Sequence, residues 1–345
     1  MLLPYLHKVV ARENLSADEA RLAMLAILSG EASTPQISAF LVGLRTKGET
    51  AEELLGFARA MREKAARVDA RIDSMPLLDT CGTGGDGGHT FNISTIAAFV
   101  VAGAGVRVAK HGNRSMTAQC GSADLLEELG IGVEFTPEDA ARAIREVGIG
   151  FMFAPMFHPA VKHAQQARLE LKMRTVFNLL GPLTNPAGAS RQLIGAPSIE
   201  AAKLMANALA GLAPERAFVV HGADGLDEVT TTGPTTVFEV LHERVRNFSW
   251  VPADFGVNVA ETEDISGGDR AQNRKIAVAI LQGERGPRRD IVLVNAAAAI
   301  LATDLTTDTR EAMYRAVESI DTGAAWTKVE KLAEFCRELQ RSPST

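Results

Sequence analysis

Four things are scarce in this 345-residue chain: cysteine, large aromatics, long apolar runs and excess positive charge. The three cysteines, Cys81, Cys120 and Cys336, are odd in number and far apart. They form no CxxC pair, which argues against a disulfide framework and against a structural zinc site. A reducing, cytoplasmic location is the expectation. The most apolar stretch, 93–108, is interrupted by glycine and arginine and is too short to span a bilayer. Met1–Leu15 shows no basic-then-apolar leader pattern, so no membrane partner is expected. Lys plus Arg number 36 against 42 Asp plus Glu, a net charge of −6 that gives no surface for coating a nucleic acid. No GxSxG stands in the chain and no cysteine sits in a nucleophile motif, so neither covalent device is expected. There are only 2 Trp and 2 Tyr but 30 Gly, which points to a ligand met by backbone rather than by aromatic faces.

What is present is ordinary for a folded protein of about two domains: 46% apolar and 23% charged residues. Residues 1–70 read as about four helices. Ser16 with Glu19 and Thr50 with Glu53 make capping boxes, and Thr34 stands as a cap before Pro35. Apolar positions such as Leu54, Leu55, Ala58 and Met61 recur at helical spacing. From residue 75 the pattern changes to alternation. Strands are expected at 75–82, 106–109, 149–154 and 217–221, with helices at 93–104, 122–129, 137–147 and 198–212 between them. Alternation of this kind implies parallel strands joined by crossover helices. Residues 158–180 read as helical again, 235–241 and 245–250 as an edge hairpin, and 270–339 as mostly helical. His158-Pro159 and Gly181-Pro182 flank the 158–183 insertion as hinge candidates.

The sharpest feature is the segment Asp79 to Thr95, with five glycines between Gly82 and Gly88, lying between a predicted strand and a predicted helix. Such a loop aims N–H groups and a helix N-terminus at an anion. Gly82, Gly84 and Gly87 match GxGxxG, yet the second strand ends in Lys110-His111 rather than in the acid a dinucleotide ribose needs. No Gly-Lys-Ser/Thr follows, so it is no Walker loop. Asp86 and the polar cluster Thr90, Asn92, Ser94 and Thr95 suit sugar hydroxyls or a metal beside phosphate. The alternative is a structural turn with Asn92 and Ser94 as helix caps. A second loop, Lys110-His111-Gly112-Asn113-Arg114-Ser115, is expected at the same sheet edge, where Lys110 and Arg114 would supply cations; Gly121-Ser122-Ala123-Asp124 opens the next helix there. Asp227-Glu228 taken alone reads as a solvated acidic turn, and Arg168 alone as a surface arginine.

These motifs together identify a family. GTGGD with NxST, then KHGNR, GSAD, the run Arg174 to Pro186 (RTVFNLLGPLTNP) and DGLDE, in this order, resemble anthranilate phosphoribosyltransferase over almost the whole chain. The resemblance implies a nucleoside phosphorylase-like α/β fold: a small all-helical domain beside a larger α/β domain with a mostly parallel sheet. The small domain would comprise 1–70 with 158–183 packing on it, and the large one 71–157 and 184–345. It implies a glycosyltransferase of tryptophan biosynthesis that joins anthranilate to phosphoribosyl pyrophosphate with Mg²⁺, usually as a homodimer. By the same resemblance, phosphoribosyl pyrophosphate contacts fall to Gly82, Gly85, Asp86, Thr90, Asn92, Ile93, Ser94, Thr95, Lys110, His111, Gly112, Asn113, Arg114, Ser115, Met116, Thr117, Ala118 and Ser122. Gly82, Asn113 and Arg168 would meet anthranilate, and Ser94, Asp227 and Glu228 would hold the metal. Two departures stand out. Lys172 occupies a position where the family commonly has glycine, and Met116–Cys120 replaces a serine-bearing segment. A pyrimidine nucleoside phosphorylase would carry KHSTGG where this chain has KHGNRS, and a non-catalytic relative that binds nucleic acid would need a basic groove.

Overall fold

The computed structural model describes residues 1–70, 75–84, 90–115 and 119–341. Four helices come first: α1 (Leu3–Val10), α2 (Ala17–Leu28), α3 (Thr34–Lys47) and α4 (Ala51–Lys64). The capping boxes at Ser16 and Thr50 form as expected. The start of α3 is one residue earlier than expected: Ser33 is the cap, its backbone N–H donating to Gln36 Oε1 at 3.0 Å, and Thr34 lies in the first turn. The alternating region follows as β1 (Leu77–Gly82), α5 (Ile93–Gly103), β2 (Arg107–Gly112), α6 (Ser122–Glu128), α7 (Pro137–Glu146) and β3 (Ile149–Phe153). Short α8 (Ala154–Phe157), α9 (Lys162–Leu171) and α10 (Phe177–Leu180) lead to β4 (Arg191–Gly195), α11 (Ile199–Ala210) and β5 (Arg216–Gly222). The hairpin β6 (Thr235–Leu241) and β7 (Arg244–Trp250) precedes α12 (Arg270–Leu281), α13 (Pro287–Ala302), α14 (Thr309–Asp321) and α15 (Ala324–Arg341).

Among the described residues the strands form one sheet in the order β3-β2-β1-β4-β5-β6-β7. The first five are parallel and the last two antiparallel, so the expected mostly parallel α/β sheet with an edge hairpin is what forms. Chain order runs outward from β1 in both directions. The point between β1 and β4 is therefore the topological switch point, where open α/β sheets leave a crevice at the carboxyl ends of their strands.

Strand β4 lies outside the expected elements, because its first two residues are polar. Their partners come from elsewhere in the chain: buried Gln192 donates through Nε2 to Pro182 O at 2.9 Å, and Arg191 pairs with Glu215 and Asp304.

The sheet separates two cores, and alternation along its strands feeds both. Leu193, Phe218, Val220 and Val237 pack with α5, α12, α13 and α14. Ile194, Ala217, Val219, Phe238 and Val240 pack with α11 and, through it, with the N-terminal helices. Gly211 lies against Leu55, and Arg59 Nη2 donates to Gly211 O at 3.2 Å. The insertion residues Ala164, Ala167, Val176, Phe177, Leu180 and Leu183 join that second core, and Arg62 Nε donates to Leu183 O at 2.8 Å. The N-terminal helices thus share one continuous apolar cluster with the insertion and one sheet face.

Candidate active site

Strands β1 and β4 end side by side, with Gly82 opposite Gly195. Beyond them Thr83 N–H donates to Gly195 O at 3.2 Å. The loop after β5 folds back over this pair. A Cβ on Gly195 would run into the Asp227 carbonyl, and one on Gly82 would lie 2.7 Å from Asp227 Oδ2. Glycine at both strand ends is what lets the acidic pair seat there. Asp227 Oδ2 also accepts from Thr83 Oγ1 at 3.4 Å, and Glu228 Oε1 accepts the Ser94 N–H at 3.2 Å. Gly82, Ser94, Asp227 and Glu228 therefore converge at the switch point, and Asp227-Glu228 is not the solvated turn that its sequence alone suggests. A carboxylate already sits at the N-terminus of α5, the place a helix offers an anion.

The start of α5 is held by side chains from far along the chain rather than by a cap of its own. Asn92 is the N-terminal residue but makes no side-chain cap. Its N–H donates to Asn273 Oδ1 at 3.1 Å and its Nδ2 to Cys120 O at 3.1 Å, while its buried Oδ1 has no partner among the described residues. Thr95 Oγ1 is likewise buried and unpartnered. The Ile93 side chain is buried in the core, and its N–H donates to Phe91 O at 2.7 Å. Thr90 bridges Ser266. Orphaned polar atoms at a helix start are costly unless a ligand or water completes them.

The second loop reaches the same edge, but its cations are turned differently from the expectation. Lys110 is buried; its Nζ donates to Thr80 O at 2.5 Å. Burial lowers its pKa, opposed by the neighbouring Asp79 carboxylate, whose own pKa burial raises and Lys110 opposes. Asp79 accepts from His111 N at 3.1 Å and from Asn185 Nδ2 at 2.7 Å. Arg114 turns back onto α6, reaching Asp124 at 2.9 Å and Glu127 at 2.5 Å, with Phe153 beneath it at 5.6 Å. Both guanidinium and ammonium are thus already matched by acid or carbonyl, because acids 10 and 13 residues further on lie within reach of Arg114. Ser122 ties this loop together: its Oγ accepts from Asn113 N at 3.1 Å and donates to Asn113 O at 3.0 Å. Gly112 lies against Ser122, and Asn113 is exposed beside Ser115. Gly85, Asp86, Met116, Thr117 and Ala118 lie outside the described residues.

The insertion meets this loop through His111. Its Nδ1 lies 3.1 Å from Gly181 O, and its ring is 5.1 Å from that of His158. Both ends suggested as hinges thus converge on one residue. Burial pushes His111 down to about 3 and His158 to about 4, so both rings are neutral near pH 7, each with an Nε2 that has no partner among the described residues.

On α9, Arg168 lies with its guanidinium 5.1 Å from the centre of the Phe177 ring. Burial lowers its pKa, and among the described residues no carboxylate pairs with it. A largely desolvated, unmatched guanidinium above an aromatic ring is suited to a planar carboxylate ligand.

Asp79, Asn185 and Arg174 stand in motifs quoted from the sequence but without a role, and Asn273 was not singled out; all four are framework residues. An acid inside an apolar strand was a usable signal for Asp79. Asn273, in the first turn of a helix, gave none.

Lys172 explains one departure. It closes α9 at φ +48°, with its N–H donating to Arg168 O at 3.3 Å. That left-handed conformation is where helix ends favour glycine. Lys172→Gly should raise stability by about 0.5–1 kcal/mol, the left-handed penalty of about 1–2 less the entropy of a freer unfolded chain. Scanning calorimetry checks it; an unchanged or lower melting midpoint would show that the turn carries no strain.

Residues 74–326 match the model of the glycosyl transferase family a/b domain, and residues 3–65 that of its helical bundle domain. The anthranilate phosphoribosyltransferase of Solibacter usitatus is 61% identical over 334 residues, covering 97% of this chain and 98% of the relative. That of Moorella thermoacetica is 51% identical over 335 residues, covering 97% and 98%. The chain belongs to the anthranilate phosphoribosyltransferase family. Two solved structures of the family agree. The enzyme from Thermus thermophilus superposes with TM-score 0.90 at 42% identity, covering 96% of this chain and 99% of the other. The Saccharomyces cerevisiae enzyme in complex with PRPP and Mg superposes with TM-score 0.90 at 30% identity, covering 98% of each chain.

Proposed function

We propose that this protein transfers the phosphoribosyl group of phosphoribosyl pyrophosphate to the amine of anthranilate, giving N-(5-phosphoribosyl)anthranilate and pyrophosphate. The observation that carries the reading is the meeting of Gly82, the α5 start and Asp227-Glu228 at the switch point, with Arg168 unmatched on the insertion. In the reaction the amine nitrogen bonds to the anomeric carbon as the bond to pyrophosphate oxygen breaks. The electron pair leaves with pyrophosphate, and the amine gives up a proton. The transition state resembles an oxocarbenium ion, so catalysis is positioning plus stabilisation of a leaving anion.

We assign the donor to Gly82, Thr90, Asn92, Ser94, Thr95, the 110–115 loop and Ser122, together with Gly85, Asp86 and residues 116–118. Open polar atoms on Asn92 and Thr95 support this. The acceptor falls to Arg168 with Asn113 and Gly82, Arg168 taking the carboxylate in a bidentate grip. For magnesium, Asp227, Glu228 and the Ser94 hydroxyl would supply hard oxygen donors, a reading supported by the Ser94 N–H meeting Glu228 Oε1 and the Thr83 hydroxyl meeting Asp227 Oδ2. No cluster of three or more His, Cys, Asp or Glu side chains arranged for a metal occurs among the described residues. Two carboxylates fit an ion that keeps waters and shares substrate phosphates. When bound, Mg²⁺ would neutralise charge on pyrophosphate; the chain's own residues hold and orient both substrates.

We also propose that residues 1–70 with 158–183 form the acceptor-side domain, and 71–157 with 184–345 the donor-side domain. A cytoplasmic homodimer completes the reading. Unpaired buried cysteines and the apolar Leu3, Val10, Leu22 and Val42 exposed on α1, α2 and α3 support it. No helix among the described residues is long and apolar enough to cross a membrane. The net charge of −6 favours small substrates over nucleic acid. A pyrophosphate-release assay tests the reading: release should require anthranilate, whereas phosphorolysis of thymidine in its place would favour a nucleoside phosphorylase.

A further inference from the structure

The segment from Arg168 to Asn178 touches both halves of the proposed site. Its first residue carries the unmatched guanidinium, and the turn after it is closed by Lys172. Two residues on, Arg174 Nη2 donates to the carbonyl of Gly84 at 2.6 Å, across 90 residues of sequence. The Thr175 N–H then donates to Asn178 Oδ1 at 3.0 Å, which sets the turn holding Phe177 beneath Arg168. Among the described residues Arg174 has no carboxylate partner, so the carbonyl of the glycine loop is its one fixed contact. Gly84 is itself left-handed, at φ +68°. Its neighbour Thr83 is tied to Gly195 and Asp227.

We propose that Arg174 is a positioning residue for the donor, fixing the glycine loop at Gly84 from the segment that also carries the acceptor-binding arginine. A trans peptide is planar, so anchoring its carbonyl fixes the whole peptide unit against rotation. Glycine on both sides of a peptide makes that rotation cheap without an anchor. A charge-assisted hydrogen bond is strong enough to hold it. Arg168 and Arg174 thus divide the work of one short segment: one meets the acceptor, the other sets the loop for the donor. This inference rests on the proposed reaction.

The test compares Arg174→Ala and Arg174→Lys with the unaltered protein in steady-state assays of anthranilate consumption, varying each substrate in turn. Arg174→Ala should raise the KM for phosphoribosyl pyrophosphate about tenfold, the worth of one charge-assisted hydrogen bond. The acceptor KM at saturating donor, kcat and the melting midpoint should hardly move. Lysine, which still reaches and donates, should recover most of the loss. A donor KM unchanged in Arg174→Ala would overturn the inference. So would a parallel loss of kcat, both KM values and thermal stability in both variants, which marks a structural residue. If the unaltered protein consumes no anthranilate, it is the proposed reaction that fails instead.

Discussion

Arg168→Ala raises the KM for anthranilate about 100-fold, from the loss of two parallel charge-assisted hydrogen bonds worth about 3 kcal/mol together. The KM for phosphoribosyl pyrophosphate stays within about twofold, because an acceptor contact should not alter donor binding. The asymmetry follows from the side chain's surroundings. The guanidinium lies over Phe177, partly out of water, and no carboxylate of the described chain pairs with it. Its desolvation is thus already borne by the fold, and an incoming carboxylate gains a partner that water no longer screens. Arg168→Lys should recover little, since an ammonium cannot form the planar two-point grip. Acceptor KM values for the two variants decide it; values like that of the unaltered protein would remove Arg168 from the site.

The second large effect is expected at the acidic pair. Asp227→Asn with Glu228→Gln keeps size and shape. The Asp227 backbone carbonyl against Gly195 is untouched, and the amide oxygen that replaces the Glu228 carboxylate can still accept the Ser94 N–H. Charge is lost and one acceptor oxygen on each side chain becomes a donor while one oxygen remains, so the fold should hold while kcat/KM falls about 100- to 1,000-fold, the scale on which leaving-group electrostatics acts. The magnesium concentration for half-maximal activity should rise as well. Titrating Mg²⁺ at saturating substrates measures this, and full activity at unchanged magnesium demand would leave the pair a structural feature of the β4 end.

Legibility in the sequence followed the reach of each interaction. Ser16 with Glu19, Thr50 with Glu53 and Thr136 with Asp139 are completed within one helical turn, and the sequence reading found the helices they start. Ser33 and Thr34 are both competent caps, and Gln36, three residues after Ser33, closes a capping box on the first, whereas Ile37 offers Thr34 none. Strand β4 was invisible because Gln192 and Arg191 look solvated until Pro182, Glu215 and Asp304 arrive to satisfy them. At the site, the glycine loop could be recognised by residue type, since the chemistry demands small residues, whereas Asp227-Glu228 reads as a solvated turn until the family resemblance gives it a role. Side-chain direction could not be read. Lys110 and Arg114 were expected to face phosphate, but burial beside Asp79 claims one and the acids of α6 claim the other. The contacts of Arg174 and Asn273 could not be read because each acts on a backbone group far along the chain, 90 residues away for the first and 181 for the second. No local pattern records such a relation.

The central claim is phosphoribosyl transfer to anthranilate, and anthranilate's own fluorescence tests it most directly. In a mixture of protein, anthranilate, phosphoribosyl pyrophosphate and Mg²⁺ the fluorescence of anthranilate should fall with time, and it should stay constant when the donor or Mg²⁺ is left out. Constant fluorescence in the complete mixture, with folded protein, would contradict the account.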